Sequence, residues 1–146
     1  MNQLCCPGYG GPKHESGQGT LGPEARQLYR SIEIFAATKG LQAPKILSSC
    51  RSLEQQRSLQ RRWDAGDRLG LATRPADDSK HVPDELGICH AFDLAGSDAW
   101  LTMVGTFVQG SFPNAVWGGS FLPPDKNHFH VNPSAKWISA ATWVIG

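Results

Sequence analysis

The most informative stretch of the sequence for the fold is Cys89-His90-Ala91-Phe92-Asp93-Leu94-Ala95. It is mainly apolar and contains no glycine or proline, so it predicts a strand. Side chains alternate across a strand, and His90 and Asp93 therefore point to opposite faces. Residues 66–87 before it mix charges with glycine and proline and have no clean period, which predicts a long loop. Residues 98–109 after it predict a helix.

Helices and short strands continue on both sides of this stretch. A helix is predicted over 23–39, where Pro23 suits the first turn, and a second over 53–65, where Ser52-Leu53-Glu54-Gln55 forms a capping box. The remaining predicted elements are short strands at 45–50, 115–117 and 128–131, and an apolar stretch at 136–145 that is expected to pack on the core.

The length of 146 residues suits one catalytic domain with a real core and is too short for two. Residues 1–20 are rich in glycine and poor in apolar side chains, which predicts an irregular lead-in before a single domain over 21–146. The 14 basic and 13 acidic residues leave a net charge of +1, which gives no reason to expect nucleic acid as a partner. We expect a monomer.

Compartment and redox state follow from the first residues and the cysteines. The start of the chain lacks the basic and apolar regions of a signal peptide, and no stretch reaches the roughly 18 apolar residues of a membrane span. We therefore expect synthesis in the cytoplasm and no stable membrane insertion. The four cysteines, 5, 6, 50 and 89, lack CxxC spacing and scaffold density, so free thiols are predicted, although Cys50 and Cys89 could be neighbours.

Three metal-ligand side chains stand out in the sequence: His81, Asp93 and His128. Catalytic zinc takes three protein ligands and leaves the fourth position to water, whereas structural zinc usually has four ligands rich in cysteine. Two imidazoles and a carboxylate suit the catalytic kind. Asp125 lies three residues before His128, close enough in sequence to reach water at the metal. Together these residues predict a zinc hydrolase.

An ordered set of segments carries a resemblance to a known family. The segments are Ser49-Cys50-Arg51-Ser52, Ser79-Lys80-His81, Ala91-Phe92-Asp93-Leu94, Trp117-Gly118-Gly119 and Asp125-Lys126-Asn127-His128-Phe129. Over about residues 21–132 they resemble the zinc D-alanyl-D-alanine carboxypeptidases and the related phage L-alanyl-D-glutamate endolysins. The resemblance implies that His81, Asp93 and His128 bind Zn²⁺.

The resemblance also implies catalytic and cleft residues. Asp125 falls on the general base of the family. Arg51 falls on the arginine of its strand-to-helix turn, which would hold a carboxylate of the peptide or support the oxyanion. Ser79, Trp117 and His130 would line or support the substrate cleft, and His130 stands where Glu or Gln is common among relatives.

The first metal ligand has a competitor in the sequence. The gap between His81 and Asp93 is longer than usual in the family, which makes residues 82–86 an insertion and leaves His90 as an alternative. His90 would face away from Asp93 on the strand, so His81 is favoured. The loop also carries acidic residues that could bind calcium, Asp77, Asp78, Asp84 and Glu85. They lack EF-hand spacing, which favours solvated charges.

The function implied by the resemblance is a phage-type endolysin that cuts the peptidoglycan stem peptide between L-alanine and D-glutamate. It would reach the wall after the inner membrane is permeabilised. Two alternatives remain open, a D-alanyl-D-alanine carboxypeptidase and a zinc-binding module without catalysis. Retention of Asp125 favours an enzyme over the module.

The expected fold is α+β, of the hedgehog or DD-peptidase type. Helices 23–39 and 53–65 would pack on one face of a small, mainly antiparallel sheet, and zinc would lie at its open face. Trp63 and Trp100 are expected in the core. Arg57, Arg61 and Arg62 form a basic helix face that could favour an anionic wall, although a solvated face is the more common meaning of such a pattern.

Overall fold

Residues 19–133 are described by the structure, which is a computed structural model. The expectations for residues 1–18, the irregular lead-in, and for the apolar stretch at 136–145 lie outside the described residues. No helix within the described range is long and apolar enough to cross a membrane.

Three helices and a small sheet make up the described fold. In chain order the elements are β1 (Thr20–Leu21), α1 (Pro23–Thr38), β2 (Lys45–Ser48), α2 (Leu53–Asp64), β3 (Ile88–Cys89), β4 (Ala91–Ala95), α3 (Asp98–Ser111), β5 (Ala115–Trp117) and β6 (His128–Val131). The predicted capping box is present, since the Ser52 hydroxyl accepts from the Gln55 amide and the Gln55 side chain accepts from the Ser52 amide. The strand predicted over 89–95 is divided at His90.

The main sheet has four strands in the order β2-β4-β6-β5, and all neighbours are antiparallel. β1 and β3 form a separate two-stranded parallel sheet. The register pairs Asp93 on β4 with His128 on β6. On the other side, Ile46 pairs with Leu94 but Ser48 pairs with Asp93, so β2 has one extra residue at this point. Such bulges re-aim side chains next to functional sites, and this one sets Ser48 opposite Asp93. The predicted α+β fold with a small antiparallel sheet is confirmed.

The core lies on one face of this sheet. Along β4 and β6 the side chains of Phe92, Leu94, Phe129 and Val131 are buried, whereas Asp93, His128 and His130 fall on the alternate positions. The core side is completed by residues of α1 and α3: Ala25, Leu28, Tyr29, Ile32, Trp100, Leu101, Val104 and Val108. The alternation therefore gives one apolar face, covered by helices, and one open face that carries the polar residues.

The helices that cover the sheet are α1 and α3. The expectation that helix 53–65 helps to cover the back of the sheet is wrong, because no residue of α2 belongs to the hydrophobic core within the described range. The single buried side chain of α2 is Gln56, which is polar. Trp63 is likewise not part of the hydrophobic core, although it was expected there. The guanidinium of Arg68 lies over its ring instead, with Cζ 4.1 Å from the ring centroid. Trp100 is in the core as predicted.

Cys50 and Cys89 form a disulfide, with Cα atoms 5.5 Å apart. The prediction of free thiols is therefore wrong for this pair. Spacing along the chain did not reveal it, because the two cysteines are separated by 39 residues and meet only when β3 folds beside the turn after β2. The bond ties the strand-to-helix turn at residues 49–52 to β3.

Candidate metal centre and cleft

The register of β4 and β6 places Asp93 and His128 side by side on the open face. His81 comes from the loop before β3 and joins them. Its backbone is fixed on both sides, because its carbonyl accepts from the Arg51 amide at 2.8 Å and its amide donates to the Ser79 hydroxyl at 3.1 Å. Its ring Nδ1 lies 2.6 Å from the Ser49 carbonyl oxygen. The three side chains predicted as ligands are thus brought together.

Three atoms of these residues face one another in a nearly equilateral triangle. The distances are 3.2 Å from His81 Nε2 to His128 Nδ1, 3.3 Å from His81 Nε2 to Asp93 Oδ1, and 3.5 Å from His128 Nδ1 to Asp93 Oδ1. Ligands bound to tetrahedral zinc at roughly 2.0–2.2 Å lie about 3.3–3.6 Å apart. The triangle therefore has the dimensions that three ligands of one such ion require.

The hydrogen bonding of Asp93 also fits a metal. Its Oδ2 accepts from the Ser48 hydroxyl at 3.0 Å and lies 3.5 Å from Arg51 Nη2. Its Oδ1 is buried and has no hydrogen-bond donor among the described residues. Buried polar atoms are normally paired, so an orphaned carboxylate oxygen beside two imidazole nitrogens is the atom that a cation would satisfy.

Burial alone would raise the pKa of the Asp93 carboxyl, but the imidazoles of His128 and His81 hold that pKa far below its usual range. A carboxylate with so low a pKa stays ionised near neutral pH. A charged carboxylate oxygen beside two imidazole nitrogens is a donor set that suits a divalent cation such as zinc.

Asp125 lies beside the centre and lines the same cleft. Its backbone is held by two hydrogen bonds, from its own amide to the Gly118 carbonyl at 2.8 Å and from the His128 amide to its carbonyl at 3.1 Å. Gly118 leaves no space for a side chain, because a Cβ there would run into the Asp125 carbonyl oxygen. Burial and the charge of Asp93 raise the pKa of the Asp125 carboxyl above its ordinary value. A carboxyl whose pKa is raised is suited to taking up and returning a proton.

Arg51 lies on the other side of the centre, in the turn between β2 and α2. Its Nη1 donates to the side-chain oxygen of Gln56 at 2.9 Å. The side-chain nitrogen of Gln56, Nε2, in turn donates to the Ala76 carbonyl oxygen at 2.8 Å. Its Nε is buried and has no partner in the described part of the chain. Burial lowers the pKa of the guanidinium, and the charges of Asp93 and Asp125 oppose this shift. Gln56 was not recognised in the sequence, since a glutamine on a polar helix gives no signal of burial.

A cleft of about 570 Å³ opens over the centre. Its floor is formed by the metal-ligand triangle, Asp125 and Arg51, and its wall by the long loop predicted over 66–87, which contains no helix or strand. The ionisable side chains that line it are Arg51, Arg74, Asp78, Lys80, His81, Asp93, Asp125, His128 and His130. The cleft therefore presents groups that can bind carboxylates next to groups that can move a proton.

Of the three residues predicted for the cleft, two line it and one does not. Ser79 and His130 line it, and His130 Nδ1 lies 2.7 Å from His128 Nε2. Burial lowers the pKa of His130 to about 4, and the neighbouring charge of His128 adds to this effect. Trp117 does not line the cleft. Its ring packs in the core against Gly105, and its Nε1 donates to the Lys126 carbonyl at 2.8 Å, which supports the segment that carries Asp125.

His90, the alternative first ligand, is turned away from the centre. Its Nε2 lies 2.9 Å from Asp84 Oδ2, and within the described range the group of potential ligands includes His81 instead. Two of the four loop carboxylates have side-chain partners, since Asp84 lies next to His90 and Asp77 accepts from Arg57 and Gln60. Among residues 19–133 no second cluster of potential metal ligands is found, so the possible calcium site has no support there.

Comparisons with known proteins give a structural neighbour. No family model matches the sequence, and no curated protein matches it. A matching solved structure is that of the vancomycin resistance D,D-pentapeptidase VanY, an alanine mutant from a VanB-type resistance cassette in complex with Zn(II). The match covers 91% of this chain and 82% of that chain, with a TM-score of 0.50 and 14% sequence identity. The chain therefore shares a VanY-like fold with this zinc-bound peptidase.

Proposed function

We propose that this chain is a zinc-dependent peptidoglycan peptidase of the phage endolysin type, which cleaves the stem peptide between L-alanine and D-glutamate. The observation that carries the proposal is the triangle of His81 Nε2, Asp93 Oδ1 and His128 Nδ1, which opens into a cleft beside Asp125. The likeness in fold to a zinc-bound D,D-pentapeptidase supports the same chemistry.

His81, Asp93 and His128 would hold the zinc ion. When bound, zinc would supply a Lewis acid, which lowers the pKa of a water molecule towards neutral and polarises the carbonyl that is attacked. Asp125 accepts the proton of the attacking water on its carboxylate and returns that proton to the nitrogen of the leaving amine. Its raised pKa suits both steps, since the carboxyl must be a base in the first and an acid in the second.

Arg51 would bind the substrate. Its guanidinium lines the cleft and is held by Gln56 on one side and Asp93 on the other, while Nε remains without a partner in the described residues. A fixed guanidinium presents parallel N–H donors that match a carboxylate. The stem peptide carries free carboxylates, and Arg51 would orient one of them, or the oxyanion, relative to Asp125.

A second candidate function is a D-alanyl-D-alanine carboxypeptidase. The specific observation in its favour is that the structural neighbour is described as a D,D-pentapeptidase. In this case Arg51 would hold the terminal carboxylate of the stem. The metal, Asp125 and the cleft would serve the same roles, so the two candidates differ only in the bond that lies over the metal.

The deciding experiment is mass spectrometry of the products released from purified Gram-negative peptidoglycan by the zinc-loaded protein. Stems freed after L-alanine support the endolysin, and loss of one terminal D-alanine supports the carboxypeptidase. No product from the zinc-loaded wild type would overturn both and leave a binding module without catalysis. The matched control is Asp67→Asn, an exposed aspartate paired with Arg62 outside the cleft, which should release the wild-type products.

The cellular setting is part of the same proposal. We expect a monomer that is made in the cytoplasm and meets the wall in the periplasm once the inner membrane is permeabilised. Of the basic residues predicted on α2, Arg57 pairs with Asp77 and Arg62 pairs with Asp67. These ion pairs leave less positive charge on α2 to attract an anionic wall.

A further inference from the structure

Two imidazoles follow one another on the open face of β6. His128 and His130 are two residues apart on a strand, so both side chains lie on the same face. Their ring centroids are 5.0 Å apart, and His128 Nε2 lies 2.7 Å from His130 Nδ1. The register sets Ala91 opposite His130, and this small residue leaves room for the second ring.

The direction of this hydrogen bond follows from the atoms that form the triangle. His128 faces Asp93 Oδ1 and His81 Nε2 with its Nδ1, so Nδ1 is the atom available to a metal. A neutral imidazole that binds a metal through one nitrogen carries its proton on the other. His128 Nε2 is then the donor, and His130 Nδ1 is the acceptor.

The two histidine ligands are therefore oriented by different means. His81 turns its outer nitrogen, Nδ1, to the backbone carbonyl of Ser49 at 2.6 Å, a partner that no side-chain substitution removes. The outer nitrogen of His128, Nε2, lies instead 2.7 Å from the side chain of His130. A single substitution of His130 can therefore change the orientation of the His128 ring while His128 itself is kept.

We propose that His130 is a positioning residue of the metal centre, which accepts the Nε2 proton of His128 and so fixes the ring and the tautomer in which Nδ1 binds the metal. The inference rests on the proposed zinc site. It assigns to His130 no contact with the substrate and no step in catalysis. Acceptors behind histidine ligands typically change metal affinity by about 10-fold to 100-fold when they are removed.

The test compares His130→Gln with His130→Phe. Glutamine keeps an oxygen that can accept from His128, whereas phenylalanine keeps a ring of similar size without an acceptor. Zinc affinity is measured without substrate, by competition with a chelator of known affinity, and metal-free thermal unfolding is recorded for each variant. The expected result is a 10-fold to 100-fold loss of zinc affinity in His130→Phe and recovery of most of it in His130→Gln, with similar unfolding midpoints.

The outcomes keep this inference apart from the proposed function. Wild-type zinc affinity in His130→Phe, or an equal loss in both variants, would overturn the positioning role while leaving the zinc peptidase intact. A wild-type protein that binds no zinc would overturn the proposed function and the inference with it. The visible absorption of the cobalt-substituted protein gives a second reading, since a misplaced His128 ligand changes the geometry of the centre and shifts the spectrum in His130→Phe but not in His130→Gln.

Discussion

Asp93 shows how much one residue of the site depends on residues distant in the chain. Its Oδ2 is held by Ser48 of β2, and its Oδ1 faces one histidine from a loop and one from β6. Because Ser48 holds Oδ2, the carboxylate can bind a metal through Oδ1 without rotating. Replacing Ser48 would leave Oδ2 with the Arg51 guanidinium at 3.5 Å as its neighbour and would loosen the ligand without removing it.

The first residue-scale prediction concerns Asp125. Asp125→Asn keeps the shape of the side chain and removes its ability to take up a proton, so kcat/KM on peptidoglycan should fall by about 10²-fold to 10⁴-fold. Zinc content should not change, because Asp125 is outside the ligand triangle. Product release is followed by mass spectrometry and zinc by elemental analysis. Full turnover in this variant would remove Asp125 from the mechanism.

A second residue-scale prediction concerns Asp84 and acid stability. Burial alone would raise the pKa of Asp84, but hydrogen bonds from His90 and from the Ile88 and Leu86 amides hold it below its ordinary value. A carboxylate with a lowered pKa in the folded state stabilises the fold fully above the ordinary aspartate pKa of about 4, and this stabilisation is lost as the pH falls through the lower pKa of the folded state. Asp84→Asn should therefore cost about 1 kcal/mol near neutral pH and much less in acid.

Urea unfolding of the metal-free protein at about pH 6.5 and at about pH 2.5 measures this difference, since the lower pH lies well below the ordinary aspartate pKa of about 4. Asp78→Asn is the matched control, since Asp78 is an exposed aspartate of the same loop, and its stability should follow the wild type. An equal destabilisation by Asp84→Asn at both pH values would show that the charge of Asp84 contributes nothing.

At the residue scale, the sequence points to side chains with distinctive chemistry. Residue type and the family resemblance predict His81, Asp93 and His128 as ligands, and the alternation along a strand disfavours His90. The structure brings these three side chains together. Ser48 and Gln56 could not be chosen. A serine and a glutamine are common, and their roles arise only from a bulge in β2 and from a loop that folds back over α2.

At the scale of elements, α2 has a different role from that of the other helices. Its cap is encoded locally and was predictable, but its packing was not. The position that α2 was expected to fill is taken by α3, whose Trp100, Val104 and Val108 are buried against the sheet. Instead, α2 turns Gln56 towards Arg51 and the loop that walls the cleft. Because α2 has few apolar residues and does not pack in the core, its polar side chains can contact the candidate site.

Two glycines of α3 give a prediction at this scale. A Cβ at Gly105 would overlap the Trp117 ring, whereas a Cβ at Gly110 would meet nothing within 4 Å. Alanine is the better helix former, so Gly110→Ala should leave stability unchanged or raise it by up to about 0.5 kcal/mol. Gly105→Ala should lower it by about 1–3 kcal/mol, because the packing must open.

Urea unfolding of the two variants measures the difference, and each serves as the control for the other. Loss of packing at Trp117 should also reduce activity in Gly105→Ala, since the Trp117 indole supports Lys126 next to Asp125. Equal stability of the two variants would show that α3 and β5 can separate without cost.

At the scale of the whole molecule, contacts between residues far apart in sequence hold the described chain together, because its sheets are small. The disulfide joins residues 39 apart in sequence, and the ligand triangle joins the loop before β3 to β4 and β6. The order of the three helices and of β2, β4, β5 and β6 was predictable from the sequence because each of them has a local signal. β1 was not predicted, and β3 was predicted as part of the same strand as β4. The pairing of β2 with β4 and of Cys50 with Cys89 was not, since these contacts depend on the path of the long loop between them.

A prediction at this scale concerns the disulfide. Crosslinking a loop of this length removes entropy from the unfolded chain that corresponds to about 4 kcal/mol in the loop-closure treatment. The double variant Cys50→Ala/Cys89→Ala should therefore unfold at lower urea than the oxidised wild type, by up to that free energy. The reduced wild type is the matched control and should approach the double variant. A loss below about 1 kcal/mol would show that the crosslink constrains little in the unfolded chain.

Cys50 lies between the two residues whose backbones contact His81: Ser49, whose carbonyl oxygen lies by the ring, and Arg51, whose amide donates to the His81 carbonyl. Formation of the disulfide therefore anchors the turn that presents a metal ligand and the guanidinium of the cleft. In a reducing compartment this turn would depend on hydrogen bonds alone, and an oxidising compartment would complete it. Preparations of the same sequence with this disulfide oxidised or reduced, a difference of two electrons, would then differ in how rigidly the metal centre is held.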